Sequence, residues 1–298
     1  VIRVATAGWS YPDWEGRVYP KRKPPGFHAL QTLARCFDGV EVNSTFYAEA
    51  RPEIVTKWAA HVREKPDFHF IAKLHQSFTH GPHEGVEKTL FELRGKTFQA
   101  ALEPLTRRGQ LDGVLVQFPA SFHENPDNIR HLGWIRSLLG DLPLILEVRH
   151  RSWFEPPALS SIRGLGYSLA HIDLPDAWDH PPDRFAPTGP IGYMRLHGRN
   201  AQNWFKPDVG RDDRYDYLYT PQEVGALAIR AHELSQETDQ TWVVTNNHFG
   251  GQAVANGLEF KWLFGGRQPV AAPDEIVEAF PHLINIVEPR SQGGLFGG

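Results

Sequence analysis

Leu144-Ile145-Leu146-Glu147-Val148-Arg149-His150 is an apolar run that ends in charge. The alternation puts Glu147 and Arg149 on one face and Leu146 and Val148 on the other. The pattern recurs along the chain. Val40–Val42 carries Glu41 and reaches Asn43; His69–Leu74 carries Lys73 and reaches His75; Val114–Val116 ends at Gln117. Ser168–Ile172 carries His171 and reaches Asp173; Tyr193–Leu196 carries Arg195 and reaches His197; Trp242–Val244 leads to Asn246, Asn247 and His248. Short apolar strands alternating with helical patterns, each strand ending in polar residues, specify an α/β fold. It is a TIM-type (β/α) barrel of parallel strands whose C-terminal rim holds the chemistry.

The strands this reading predicts are Ile2–Gly8, Gly39–Phe46, His69–His75, Gly113–Pro119, Leu144–His150, Ser168–Asp173, Ile191–Gly198 and Thr241–His248. Between them Leu30, Leu33, Ala34 and Phe37, and again Val224, Leu227, Ala228 and Ala231, fall on single helical faces. Thr220-Pro221-Gln222-Glu223 has the form of a capping box with Pro at the first helical position, and Asn125-Pro126 opens another helix. Leu174–Pro190 is Pro-rich without helical periodicity, so one barrel helix is expected to be short or missing. Residues 198–219 form a long aromatic and charged connection of the kind that carries function.

Composition fits this architecture. The chain has 298 residues, 41% hydrophobic, with a net charge of -4 and one cysteine. The length suits one barrel. Residues 1–290 are expected to form a single domain, with 291–298 a flexible Gly-rich tail. The acidic balance disfavours a general nucleic-acid binder. Cys36 cannot form an intramolecular disulfide, which fits a cytoplasmic protein. The first residues read as a strand rather than a signal peptide, and no run is long enough to span a membrane.

Apolar helices must cover the outside of a barrel, so the polar phase of each strand should point inward. That places Glu41, Asn43, Lys73, His75, Gln117, Glu147, Arg149, His171, Asp173, Arg195 and His197 inside. On the last strand either Asn246 with His248 or Asn247 alone joins them. Buried charges cost several kcal/mol each unless they pair or bind something. An ionic network that only fixes barrel register would satisfy them; their clustering at strand ends favours a site.

Lys73, Arg149 and Arg195 indicate a small anionic ligand, phosphorylated by expectation. Glu147 is the candidate base or acid, with Lys73 or His197 as its proton-transfer partner. Trp9, Tyr11 and Trp14 follow the first strand, either as walls of the pocket or as packing alone. Gly250 and Gly251, before a helical pattern, would bring backbone N–H groups to the anion. No cofactor is predicted. A divalent metal on Glu41, Glu147, Asp173 and His197 is the alternative, which would make a phosphodiesterase or nuclease. A non-catalytic nucleic-acid module using Arg199, Trp204, Arg211, Arg214 and Tyr215 is a third reading. His75, His80 and His83 lack a metal-binding spacing.

The strand-end phrases also resemble a known family. They are Ala7-Gly8-Trp9-Ser10-Tyr11-Pro12, Glu41-Val42-Asn43-Ser44-Thr45-Phe46-Tyr47, Gln117-Phe118-Pro119, Glu147–Phe154, Arg195-Leu196-His197-Gly198-Arg199 and Asn246-Asn247-His248. In order, through about residue 264, they are similar to the YecE-like family, domain of unknown function 72. The resemblance implies a TIM-type barrel and no particular reaction. It nominates Trp9, Glu41, Asn43, Lys73, Gln117, Glu147, Arg149, Asp173, Arg195, His197 and Asn246. Arg151 stands where the family often has Pro, and His248 where it often has an acid.

Overall fold

A computed structural model describes residues 1–81, 88–206, 208–210 and 212–289. The expected tail 291–298, together with His83 and Arg211, lies outside the described residues. The strands are β1 (Ile2–Ala7), β2 (Gly39–Val42), β3 (His69–Lys73), β4 (Leu111–Gln117), β5 (Leu144–Glu147), β6 (Tyr167–Leu169), β7 (His171–Asp173), β8 (Ile191–Leu196) and β9 (Gln240–Thr245). All pair in parallel, in the order β6-β5-β4-β3-β2-β1-β9-β8-β7.

The two ends of this order are one strand interrupted at Ala170. Its first half pairs with β5 and its second with β8, so chain continuity closes the barrel. Side chains fill the seam between β6 and β8. Thr188 Oγ1 accepts from Leu169 N and donates to Tyr167 O, and Ser168 Oγ accepts from Ile191 N.

The helices are α1 (Ala29–Cys36), α2 (Ser44–Tyr47), α3 (Pro52–His61), α4 (Lys88–Thr106), α5 (Pro126–Leu139), α6 (Pro156–Gly164), α7 (Ala201–Trp204), α8 (Pro221–Gln236), α9 (Gln252–Phe264) and α10 (Ile276–Ala279). The predicted starts are real: Thr220 and Glu223 form the capping box of α8, and Asn125 caps α5. No helix lies between β7 and β8, where the sequence lacks a helical pattern. Among the described residues no helix is long and apolar enough to cross a membrane.

Strand alternation divides the core. Ile71, Leu115, Ile145, Tyr193, Trp242 and Val244 fill the barrel interior, and the opposite faces pack under the helices. Gly39 makes room for Trp242, because a Cβ there would lie 2.5 Å from its ring and 2.4 Å from the His69 carbonyl oxygen. The N-terminal mouth is closed by Asp112, bridged to Arg3 at 3.2 Å and His69 at 2.7 Å.

Candidate functional site

At the C-terminal ends of the strands lies a cavity of about 290 Å³. Its floor is polar and cationic, with Asn43, Lys73, Gln117, Arg149, Arg195 and Asn246. Its walls are aromatic, from Trp9, Tyr11, Tyr47, Tyr215 and His248. The last strand therefore turns Asn246 and His248 inward. Asn247 points outward, to the Tyr217 carbonyl and Asn256. Gly8, at φ 83°, lets the chain turn beneath the Tyr11 ring, which stacks on His248 with centroids 4.4 Å apart.

The carboxylates lie beneath the floor. Glu41 and Glu147 are both fully buried. Arg195 joins them, donating to Glu41 from Nε (2.8 Å) and Nη2 (2.7 Å) and to Glu147 from Nη1 (3.0 Å). Arg149 donates to Glu147 Oε1 from Nη2 at 2.9 Å, and the Tyr193 hydroxyl donates to Glu41 at 2.5 Å. Burial alone would push the Glu147 carboxyl up. Arg195, His197 and Arg149 overcome it and hold the group well below the usual carboxylate range. For Arg195 the two glutamates likewise outweigh burial and keep the guanidinium charged.

His197 is fully buried, and burial lowers its pKa to about 3. Asn246 Nδ2 donates to its Nδ1 at 3.0 Å, which leaves the proton on Nε2, 3.4 Å from Glu147 Oε1. It is a neutral imidazole bracing a carboxylate.

Lys73 differs. Its Nζ lies 4.0 Å from the Phe46 ring centroid and makes no hydrogen bond or ion pair among the described residues. Burial, then the positive charge of Arg195, lowers its pKa to about 7, against the opposing pull of Glu41 and Glu147. Burial thus shifts the amine toward its neutral form, and it faces the cavity.

Several expected positions differ. Asp173 and His171 point out of the barrel, while Ala170, Ile172 and Leu174 point in. The rule that apolar residues face helices fails here because no helix covers β7. Asp173 instead accepts from Arg199 (2.7 and 2.9 Å) and Tyr219 (2.7 Å). His75 leaves the barrel after β3 and caps the turn at Ser77. Gly250 and Gly251 lie away from the cavity. The turn does bind an anion, but a carboxylate of this chain: Gly250 N donates to Asp13 Oδ2 at 2.5 Å, and Gly251 N to the His248 carbonyl.

The proposed metal set does not assemble, since Asp173 is outside and the glutamates are bound by arginines. Among the described residues no cluster of His, Cys, Asp and Glu could hold a metal ion. In the connection 198–219 only Tyr215 reaches the cavity among its described residues. Arg199 binds Asp173 and Glu223, and Arg214 donates to the Lys206 carbonyl. Tyr193 was not singled out from the sequence, although it shares the inward phase of Arg195. Its apolar ring reads as core until its hydroxyl is seen on Glu41.

The fold and rim define a TIM-type barrel with a charged, aromatic-walled pocket. The chain belongs to the family described as "Protein of unknown function DUF72", whose model matches residues 3–277. It is 32% identical over 286 residues to the UPF0759 protein YunF of Bacillus subtilis, covering 93% of this chain and 99% of that protein. YecE of Escherichia coli K12 is 28% identical over 155 residues, 52% of this chain and 50% of that protein. Crystal structures of DUF72 proteins from Thermotoga maritima (TM-score 0.76, 31% identity, 89% of this chain and 99% of that one) and Enterococcus faecalis (0.77, 27%, 89% and 96%) share the fold.

Proposed function

We propose that the protein is an enzyme acting by proton transfer on an anionic, phosphorylated small molecule at the C-terminal rim. The observation that carries this reading is the division of the charges. Glu41 and Glu147 are buried and satisfied by two arginines, whereas Lys73 and the outer edge of Arg149 face the cavity. A bound anion meets cations there and no exposed carboxylate.

Each side chain has a role in this reading. Arg149, 20% exposed, uses Nε and Nη2 on Glu147 and keeps Nη1 for the ligand. Trp9 and Tyr215 flank an organic ring or chain. Lys73 moves the proton, because its pKa of about 7 suits transfer in either direction near neutral pH. Glu147 is a positioning residue: a carboxylate with three cationic or imidazole neighbours is a weak base. His197 fixes Glu147 in turn.

Thermal unfolding with inorganic phosphate, sugar phosphates and the matching uncharged sugars tests the reading. A phosphorylated ligand at a hundredfold excess over its Kd should stabilise the native state by about 2.7 kcal/mol. Arg149→Ala should remove that gain while the unliganded protein stays folded. Equal stabilisation by the uncharged sugars would sink the anion assignment.

A further inference from the structure

We propose that Lys73 is a nucleophile that forms an imine with an aldehyde or ketone bearing an anionic group. This rests on the reading of the cavity as an anion site, adds the class of substrate, and gives the Lys73 amine a covalent role in place of the proton transfer assigned to it above.

The geometry comes first. Lys73 ends β3 on the inward face and lines the cavity. Buried lysines are ordinarily clamped by a carboxylate. Here both nearby carboxylates are taken, Glu41 by Arg195 and Tyr193, and Glu147 by Arg195 and Arg149. Two glutamates balance two arginines, so a third cation has no counter-charge. Around the amine stand Glu41 from β2, Glu147 and Arg149 from the end of β5, Arg195 from β8, and His80. Phe46 offers an aromatic face, not a hydrogen-bond acceptor of ordinary strength.

The chemistry follows from that imbalance. At a pKa of about 7 the free-amine fraction at neutral pH exceeds that of an ordinary lysine roughly a thousandfold. The Nζ lone pair adds to the carbonyl carbon and forms the C–N bond. The carbonyl oxygen takes the proton that nitrogen loses. With one further proton from solvent that oxygen departs as water, breaking the C–O bond and leaving a protonated imine. No oxidant or reductant is needed, and hydrolysis returns the proton. The imine is cationic, so an anionic group of the same molecule, seated on Arg149, supplies the missing counter-charge.

Reductive trapping decides the matter. The full chain is incubated with glycolaldehyde phosphate or with glycolaldehyde, in the presence of cyanoborohydride, and analysed by peptide mass mapping. The expected result is one dominant adduct on the peptide containing Lys73, forming faster as pH rises through 7, faster with the phosphate ester, and slowed by inorganic phosphate. Lys73→Arg keeps the charge and should lose the adduct, with circular dichroism showing retained fold. Adducts spread evenly over surface lysines, or undiminished in Lys73→Arg, would overturn the proposal. Equal trapping of both aldehydes at Lys73 overturns its anionic half. Absence of trapping while phosphate esters still raise the melting temperature overturns the imine and leaves the anion-binding reading standing.

Discussion

Two ion clusters, one buried and one partly exposed, sit on opposite faces of one sheet, and their sequences look alike. Inside the barrel, Glu41, Glu147, Arg149 and Arg195 bind one another beneath the cavity. Outside, Asp173 binds Arg199 and Tyr219, and Arg199 also binds Glu223 at the start of α8. Both combine strand-end acids with arginines a few residues past or along a strand. The inner cluster leaves a cation-bearing surface open to a ligand. The outer one is closed by its own chain and holds the connection 198–219 against the barrel. A charged strand end therefore opens on a cavity only where the chain leaves a cation beyond those its own carboxylates bind.

The hardest blow to the inner cluster is Arg195→Met. It leaves the buried Glu41 with only the Tyr193 hydroxyl and takes one of two arginines from Glu147, so the native state should lose about 3–5 kcal/mol, read as a shift of the urea midpoint. An unchanged midpoint would mean that the glutamates are not held ionised by this arginine.

Asp173→Asn strikes the outer cluster. It removes the charge that Arg199 and Tyr219 share, at an expected cost of about 2–3 kcal/mol. Phosphate-ester stabilisation should survive in the remaining folded protein. If Asp173→Asn instead abolishes ligand stabilisation as completely as Arg149→Ala does, the division between a binding face and a structural face collapses.

These two clusters also show what the sequence could and could not reveal. The barrel was legible because its strands alternate with helical patterns, and the missing helix because Leu174–Pro190 has no helical period. Glu41, Lys73, Glu147 and Arg195 were legible because helix-facing positions had to be apolar. Asp173 was misplaced by that same rule, which holds only under a helix. Gly250 and Gly251 showed an anion-binding turn but not that Asp13 occupies it, since that contact spans nearly the whole chain. Likewise, nothing local marks Lys73 as unpaired: its state depends on Arg195 from β8 claiming glutamates from β2 and β5.

Lys73→Met sharpens the contrast with the opposite sign. The lysine's folded pKa of about 7 lies below its unfolded value. Between them the unfolded chain holds more protons, so stability climbs with pH from about 7 towards 10 and is lowest where the amine is charged. Lys73→Met should therefore gain about 1–2 kcal/mol near pH 6 and flatten that climb. Denaturant midpoints across this range check it; a loss of stability at pH 6 would show that Lys73 is anchored rather than poised.

The smallest effect belongs to Glu223, where the outer cluster meets the cap of α8. Burial pushes its carboxyl up, but hydrogen bonds from Thr220 and Tyr217, with the charge of Arg199, outweigh it and lower the pKa. The stabilisation from this depressed pKa is present above the unfolded carboxylate range and lost as pH falls through the folded value. The group is partly exposed, so solvent screens it, and Glu223→Gln should cost under about 1 kcal/mol at pH 7. That difference should vanish on acidification, when wild-type Glu223 is itself neutral. A cost that persists in acid would assign the cap to shape and hydrogen bonding alone, and would separate α8 from the ion cluster that Asp173 and Arg199 build beside it.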